Sequence, residues 1–107
     1  MKFLLLACPG GNATVTPALA DDLRRWTDDV QRSGALVEGA RLCGVSDATT
    51  VRENGRLVTD GPFAETAEQI AGYDVIDCAG RGEAVDIAAR HPVARYGAVE
   101  VRPFWSE

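Results

Sequence analysis

Phe3-Leu4-Leu5-Leu6-Ala7 is an unbroken apolar run, too short for a helix and without the alternation of a half-exposed strand. It predicts a strand over residues 2–7 that is buried on both faces and central in its sheet. Side chains of a strand alternate, so Phe3, Leu5 and Ala7 face one way while Leu4 and Leu6 face the other. The two helical segments read below can cover only one of those faces. An apolar sheet face left open to water is a patch that soluble monomers avoid. The second face is therefore expected to be covered by another copy across a two-fold axis. The space between two such sheets, apolar in the middle and charged toward its edges, would suit a small ligand.

The rest of the chain supplies the layer on the other side. Pro9-Gly10-Gly11-Asn12 ends the first strand, and Thr16-Pro17 starts a helix with an N-cap hydroxyl and a proline in the first turn. Leu19, Leu23, Trp26 and Val30 recur at helical spacing on one face, and Gly34 closes the helix. Residues 35–42 read as a strand in which Gly39 signals a bulge or an edge position. Residues 49–52 and 56–59 flank Asn54-Gly55, a strong hairpin signal. Gly61-Pro62 then forces a loop, since neither residue suits a helix interior or a central strand. A helical turn is expected at residues 64–69, a strand at 73–78, and a weakly capped helix at 82–90 that Pro92 terminates. Residues 98–102 alternate as a last strand, with Val99 and Val101 toward the helices and Ala98, Glu100 and Arg102 toward a partner sheet; Glu38 is placed with them. The order predicts an α+β, ferredoxin-like βαββαβ domain with an added hairpin, spanning residues 1–107. Its antiparallel sheet carries two helices on one face, and pairing with a second copy would make a dimeric α/β barrel.

Charge and composition exclude several function classes. The net charge is −5, and the eleven basic residues, only one of them lysine, are scattered along the chain. That argues against direct nucleic-acid binding and against attachment to an anionic membrane. No apolar run approaches the ~20 residues needed to span a bilayer. Leu5-Leu6-Ala7-Cys8 imitates a lipoprotein cleavage box, but the apolar stretch before it is shorter than the ~7–15 residues of a signal core. The expected location is cytoplasmic. Cys8, Cys43 and Cys78 cannot all pair with one another, and neither their spacing nor that of His91 is that of a metal site, so no metal or cofactor is expected. The cysteines read as small buried hydrophobes, or, in the case of Cys8 before its Pro-Gly-Gly turn, as a reactive thiol.

Several segments together resemble the YCII-related family in its DGPF-motif branch. They are residues 2–6, Thr59-Asp60-Gly61-Pro62-Phe63-Ala64-Glu65-Thr66, Gly72-Tyr73-Asp74-Val75-Ile76-Asp77, Ala88-Ala89-Arg90 and residues 94–103. The resemblance implies a dimeric α/β barrel, in agreement with the argument from the first strand. It also implies an enzyme, because founding members place a histidine and an aspartate beside a cleft. The DGPF branch is often encoded beside extracytoplasmic-function sigma factors, which implies a regulatory connection. No histidine precedes Arg90 in this sequence, so of the functional residues only Asp60 carries over by position.

Each candidate site residue has two readings. Asp60 either accepts hydrogen bonds from its own turn or acts as a general acid or base at the rim of a cleft. Glu65, in the same loop, either caps the following turn or joins Asp60. His91 either complements the dipole of the helix it follows or carries a proton, as the only histidine of the chain. Arg95 either binds an anionic ligand or pairs with a nearby carboxylate. Phe63 either anchors its loop or contacts ligand, and Tyr73 either packs or presents its hydroxyl at a cleft edge. Asp60 and His91 are the catalytic candidates, and Tyr73, Arg95, Glu100 and Phe63 the ligand-binding ones. The expected protein is a small homodimer that binds an organic molecule, with cofactor-free acid/base chemistry. The alternative is a non-catalytic accessory of a sigma factor.

Overall fold

The computed structural model describes residues 1–10, 15–63 and 70–106. Strand β1 (Lys2–Cys8) leads to helix α1 (Pro17–Arg32) and strand β2 (Leu36–Arg41). A hairpin of β3 (Thr49–Arg52) and β4 (Leu57–Asp60) follows, then β5 (Gly72–Asp77), helix α2 (Arg81–Ala89), a 3-10 turn (Pro92–Arg95) and β6 (Ala98–Pro103). The main sheet has the order β2-β5-β1-β6, and all its neighbours are antiparallel. The fold is mixed α+β, with an antiparallel sheet and two helices.

Local chemistry accounts for the helix ends. Thr16 Oγ1 accepts the Leu19 N–H at 3.1 Å, one of the donors a helix start leaves unpaired. Gly34 takes φ +83°, a left-handed conformation that costs glycine little, and its N–H reaches the Gln31 carbonyl at 3.0 Å. The start of α2 has no side-chain cap at Gly80, as the sequence implies, although the Glu83 carboxylate accepts the Ala79 N–H at 3.2 Å.

Strand register sorts the sheet into two faces. Phe3 pairs with Ile76 and Leu5 with Asp74 and Val101, so these residues share one face with Val99 and, through the Leu36–Ile76 pair, with Leu36. Trp26 and Val30 of α1 and Ala84, Ile87 and Ala88 of α2 pack on that face and form the core. At roughly 1.5–3 kcal/mol for each fully buried large apolar side chain, Phe3, Leu5 and Ile76 anchor the two layers. The opposite face carries Leu4 and Leu6, both half-buried, with exposed Glu38, Glu100 and Arg102 around them.

Two details differ from the sequence reading. β2 is an edge strand, one of the two readings of Gly39, but the bulge lies between Leu36 and Glu38, so Val37 is the extra residue and Gly39 is paired regularly with Asp74. The hairpin turn is also longer than Asn54-Gly55 alone. Arg52 pairs with Leu57, leaving residues 53–56 as a loop in which Glu53, Asn54 and Gly55 all have positive φ. Every residue of β4 is exposed, as are Val51 and Phe63. The helical turn expected at residues 64–69, with Glu65, lies outside the described residues.

The molecule measures 44 × 41 × 18 Å, one sheet and one helix layer thick. Its radius of gyration is 15.1 Å, against about 13 Å for a compact domain of this length.

Candidate active site

β5 is apolar on its helix-facing side except at Asp74, which lies between Gly72 and Ile76 on that face. The carboxyl is accommodated because its cross-strand neighbour has no side chain. A Cβ placed on Gly39 would collide with Asp74 Oδ1, so the Asp74 carboxyl fills the space over Gly39. Only glycine permits this arrangement.

His91 approaches from the layer above. Its N–H closes the end of α2 on the Ala88 carbonyl at 3.0 Å, and its backbone is extended, as a residue before proline prefers. The imidazole turns inward, 5% exposed, and meets the Trp26 ring edge-on at a centroid separation of 4.5 Å. Trp26 is in turn fixed by its Nε1–H, which donates to the Ile87 carbonyl at 3.0 Å. His91 Nε2 then lies 4.0 Å from Asp74 Oδ2.

The hydrogen bonds assign the tautomer. The Val93 N–H donates to His91 Nδ1 at 3.1 Å, so Nδ1 is the acceptor and the ring proton sits on Nε2, on the side of Asp74. Burial pushes the Asp74 carboxyl up to about 6, because the anion loses water. Burial lowers His91 to about 4, and the Val93 N–H works in the same direction, since protonating Nδ1 would set two donors against each other. Near neutral pH the pair is a carboxylate facing a neutral imidazole N–H. An oxygen atom placed between them can lie within hydrogen-bond distance of both, which the 4.0 Å gap allows.

The pair opens into a cavity of about 670 Å³ between the sheet and α1. Leu19 and Leu23, which the helical spacing assigns to the buried face of α1, form part of its wall, and Leu42, Val45, Ile70 and Tyr96 close other sides. The cavity is thus on the helix side of the sheet, whereas the sequence reading places a ligand on the opposite face.

The structure distributes the sequence-derived candidates over four places. His91 is in the cavity. Tyr73 borders it, but pairs with Leu6, so its side chain projects to the opposite face. Asp60 and Phe63 are on the hairpin arm, exposed, with Arg52 stacked 5.4 Å from the centre of the Phe63 ring. Thr50 Oγ1 donates to the Gly61 carbonyl at 2.8 Å and holds that loop. Arg95 donates to Asp22 Oδ2 at 3.0 Å, tying the turn after His91 to α1, and Glu100 lies beside Arg102 at 3.7 Å on the sheet's far face. His91 and Asp60 are not brought together; the partner of His91 is Asp74, to which the sequence reading assigns no role. Cys8 is buried, with its Sγ near the Leu6 carbonyl, and Cys43 is exposed at the cavity mouth. Among the described residues no group of three or more His, Cys, Asp or Glu side chains could hold a metal ion. None of their helices is long and apolar enough to cross a membrane.

A small α+β protein with a histidine–aspartate pair at the floor of one cavity is the class these observations define. The chain belongs to the YCII-related family, whose domain model matches residues 1–106. An uncharacterised protein of Rhizobium meliloti (strain 1021) is 44% identical over 75 residues, or 66% of this chain and 60% of that protein. Among solved structures, the fold is similar to that of 5-chloro-2-hydroxyhydroquinone dehydrochlorinase from Burkholderia phenoliruptrix in complex with 2,5-dihydroxybenzoquinone. That likeness has a TM-score of 0.56 at 10% identity and covers 100% of this chain and 96% of the other.

Proposed function

We propose that this protein binds a small organic molecule in the cavity beside α1 and moves a proton on it without a cofactor. Asp74 is the general base and the neutral His91 Nε2–H is the hydrogen-bond donor to the oxygen on which charge develops. The observation that carries this reading is the buried pair at 4.0 Å, opening into a space large enough for a ligand. A base is most effective with a pKa near the working pH, and burial brings Asp74 to about 6. A neutral imidazole donor can stabilise an enolate or phenolate without first having to lose a proton. The dehydrochlorinase of similar fold is described with a planar oxygenated ring, and a cavity of about 670 Å³ admits molecules of that size.

The test is deuterium incorporation from heavy water into carbon acids such as cyclic diketones and unsaturated lactones. Wild-type protein should accelerate exchange for members of the panel. Asp74→Asn should abolish the acceleration, and His91→Asn should reduce it roughly 10²–10³-fold, as loss of an oxyanion donor does. Exchange by Asp74→Asn at the wild-type rate would refute the assignment.

The strand order β2-β5-β1-β6 is read as a ferredoxin-like split βαβ arrangement, and the protein as a homodimer that forms an α/β barrel through the Leu4 and Leu6 face. The thin shape and the large radius of gyration support a missing second layer. Placement in the DGPF branch rests on residues 59–66, of which residues 64–66 lie outside the described set. A non-catalytic accessory role beside a sigma factor is the second reading. It is favoured by the exposed apolar residues Val51, Val58 and Phe63 on the hairpin.

A further inference from the structure

The cavity floor is asymmetric in charge. β2 places Gly39 opposite Asp74 and Arg41 opposite Gly72, so Arg41 stands on the same sheet face as the Asp74 carboxyl, two residues along the strand. At about 3.3 Å per residue the guanidinium stem and the carboxyl stem are roughly 7 Å apart along the sheet. The two positions directly opposite them, Gly39 across from Asp74 and Gly72 across from Arg41, carry no side chain. A Cβ on Gly72 would approach the Ala40 carbonyl oxygen at 3.1 Å and the Arg41 Cα at 3.6 Å. Gly72 therefore leaves bare backbone beside the Arg41 stem, while the Asp74 carboxyl itself covers Gly39.

Among the described residues, the charged groups lining this space are two guanidiniums, Arg24 and Arg41, and one carboxylate, Asp74, in a protein whose net charge is −5. Arg24 is bridged to Asp21 at 3.3 Å on α1. Arg41, unlike it, has no ion pair among the described residues. Arg41 is thus the guanidinium of this lining left without a carboxylate among the described residues, and a guanidinium recognises a carboxylate through two parallel N–H donors.

We propose that the ligand of this cavity is a planar organic acid. Its carboxylate is held by Arg41, and its reacting hydroxyl or carbon acid lies between Asp74 and His91. Arg41 is a specificity-determining residue that fixes the orientation of the molecule in the cavity. The inference rests on the acid/base reading for the far end of the ligand, and on the sheet register for the near end. A para-substituted ring such as 4-hydroxybenzoate carries a carboxylate at one end and a hydroxyl at the other. The same ring with a carboxamide in place of the carboxylate keeps the shape and loses the charge.

The experiment is isothermal titration of the full chain with 4-hydroxybenzoate and with 4-hydroxybenzamide, repeated for Arg41→Gln and Arg41→Lys. Wild-type protein should bind the benzoate roughly tenfold or more tightly than the benzamide, the usual advantage of a charge-assisted contact. Arg41→Gln should erase the preference without changing the melting temperature, because Arg41 is an exposed residue of an edge strand. Arg41→Lys should keep part of it. Equal binding of the two probes by the wild type, a preference that survives in Arg41→Gln, or failure of the wild type to bind the benzoate at millimolar concentration would each overturn the proposal. The deuterium-exchange assay above uses uncharged carbon acids, so its failure and the failure of the anion site are read separately.

Discussion

Replacing Asp74 and His91 one at a time should produce stability curves that diverge with pH in opposite directions. Asp74 has an ordinary value of 3.8 and is raised to about 6 in the fold, so its native state binds a proton that the unfolded chain lacks between those limits. Ionising the carboxyl therefore costs stability, with the cost absent below pH 3.8 and complete above about 6. At 1.36 kcal/mol per pKa unit it comes to about 3 kcal/mol. His91 is the reverse, with an ordinary value of 6.5 lowered to about 4. Below pH 6.5 the unfolded chain gains a proton that the buried imidazole refuses, and stability falls by about 3 kcal/mol as the pH drops to about 4. Between pH 4 and 6 the two effects nearly cancel in the wild type. Asp74→Asn leaves only the histidine, so relative to wild type it should gain up to about 3 kcal/mol at pH 7 and lose that advantage on acidification. His91→Asn keeps an acceptor for the Val93 N–H and leaves only the carboxyl, so relative to wild type it should grow more stable as pH falls. Urea unfolding at half-unit steps from pH 4 to 7.5, read as differences from wild type, measures both slopes. Difference curves that run flat would refute the buried pair, because two solvated groups keep their ordinary pKa values, and slopes of reversed sign would show an ion pair instead.

Three further outcomes follow from packing. Gly39→Ala should displace the Asp74 carboxyl and destabilise the fold by about 1–3 kcal/mol, seen as a lower urea midpoint together with lost exchange activity. Trp26→Phe keeps the aromatic contact with His91 but removes one of two donors to the Ile87 carbonyl, which still accepts the Arg90 N–H at 3.3 Å. It should cost about 0.5–1.5 kcal/mol by thermal unfolding and leave Asp74 in place. Leu6→Glu puts a charge on the uncovered sheet face; sedimentation at micromolar concentration should show wild-type dimer and variant monomer, and a wild-type monomer would refute the barrel assembly.

Local signals were legible in the sequence and nonlocal ones were not. Thr16-Pro17, Gly34 and the unalternating residues 3–7 each act through their own backbone, and the structure shows a capped helix, a left-handed closure and a central strand at those places. Val99 and Val101 could be assigned to the helix side because alternation propagates along a strand. Asp74 could not be recognised in the same way. A carboxylate in an apolar strand is a signal, but its meaning depends on which residue of β2 lies beside it, and the bulge at Val37 shifts that register by one. The glycine that makes room for Asp74 therefore reads locally as a strand defect. Asp60 shows the converse, since Gly61-Pro62 fixes the turn but says nothing about where the arm projects. His91 was visible as the only histidine, yet its partner is set by the docking of α2 on the sheet.

That single histidine makes the central claim directly measurable. Long-range ¹H–¹⁵N correlation of the imidazole across pH 3.5 to 8 should show, at pH 7, a protonated Nε2 and a bare Nδ1. The ring should acquire its second proton only near pH 4, with a smaller inflection near 6 as Asp74 titrates beside it. An imidazolium already formed at pH 6, or rapid exchange between the two tautomers at pH 7, would contradict the pairing of His91 with Asp74 as the acid/base site.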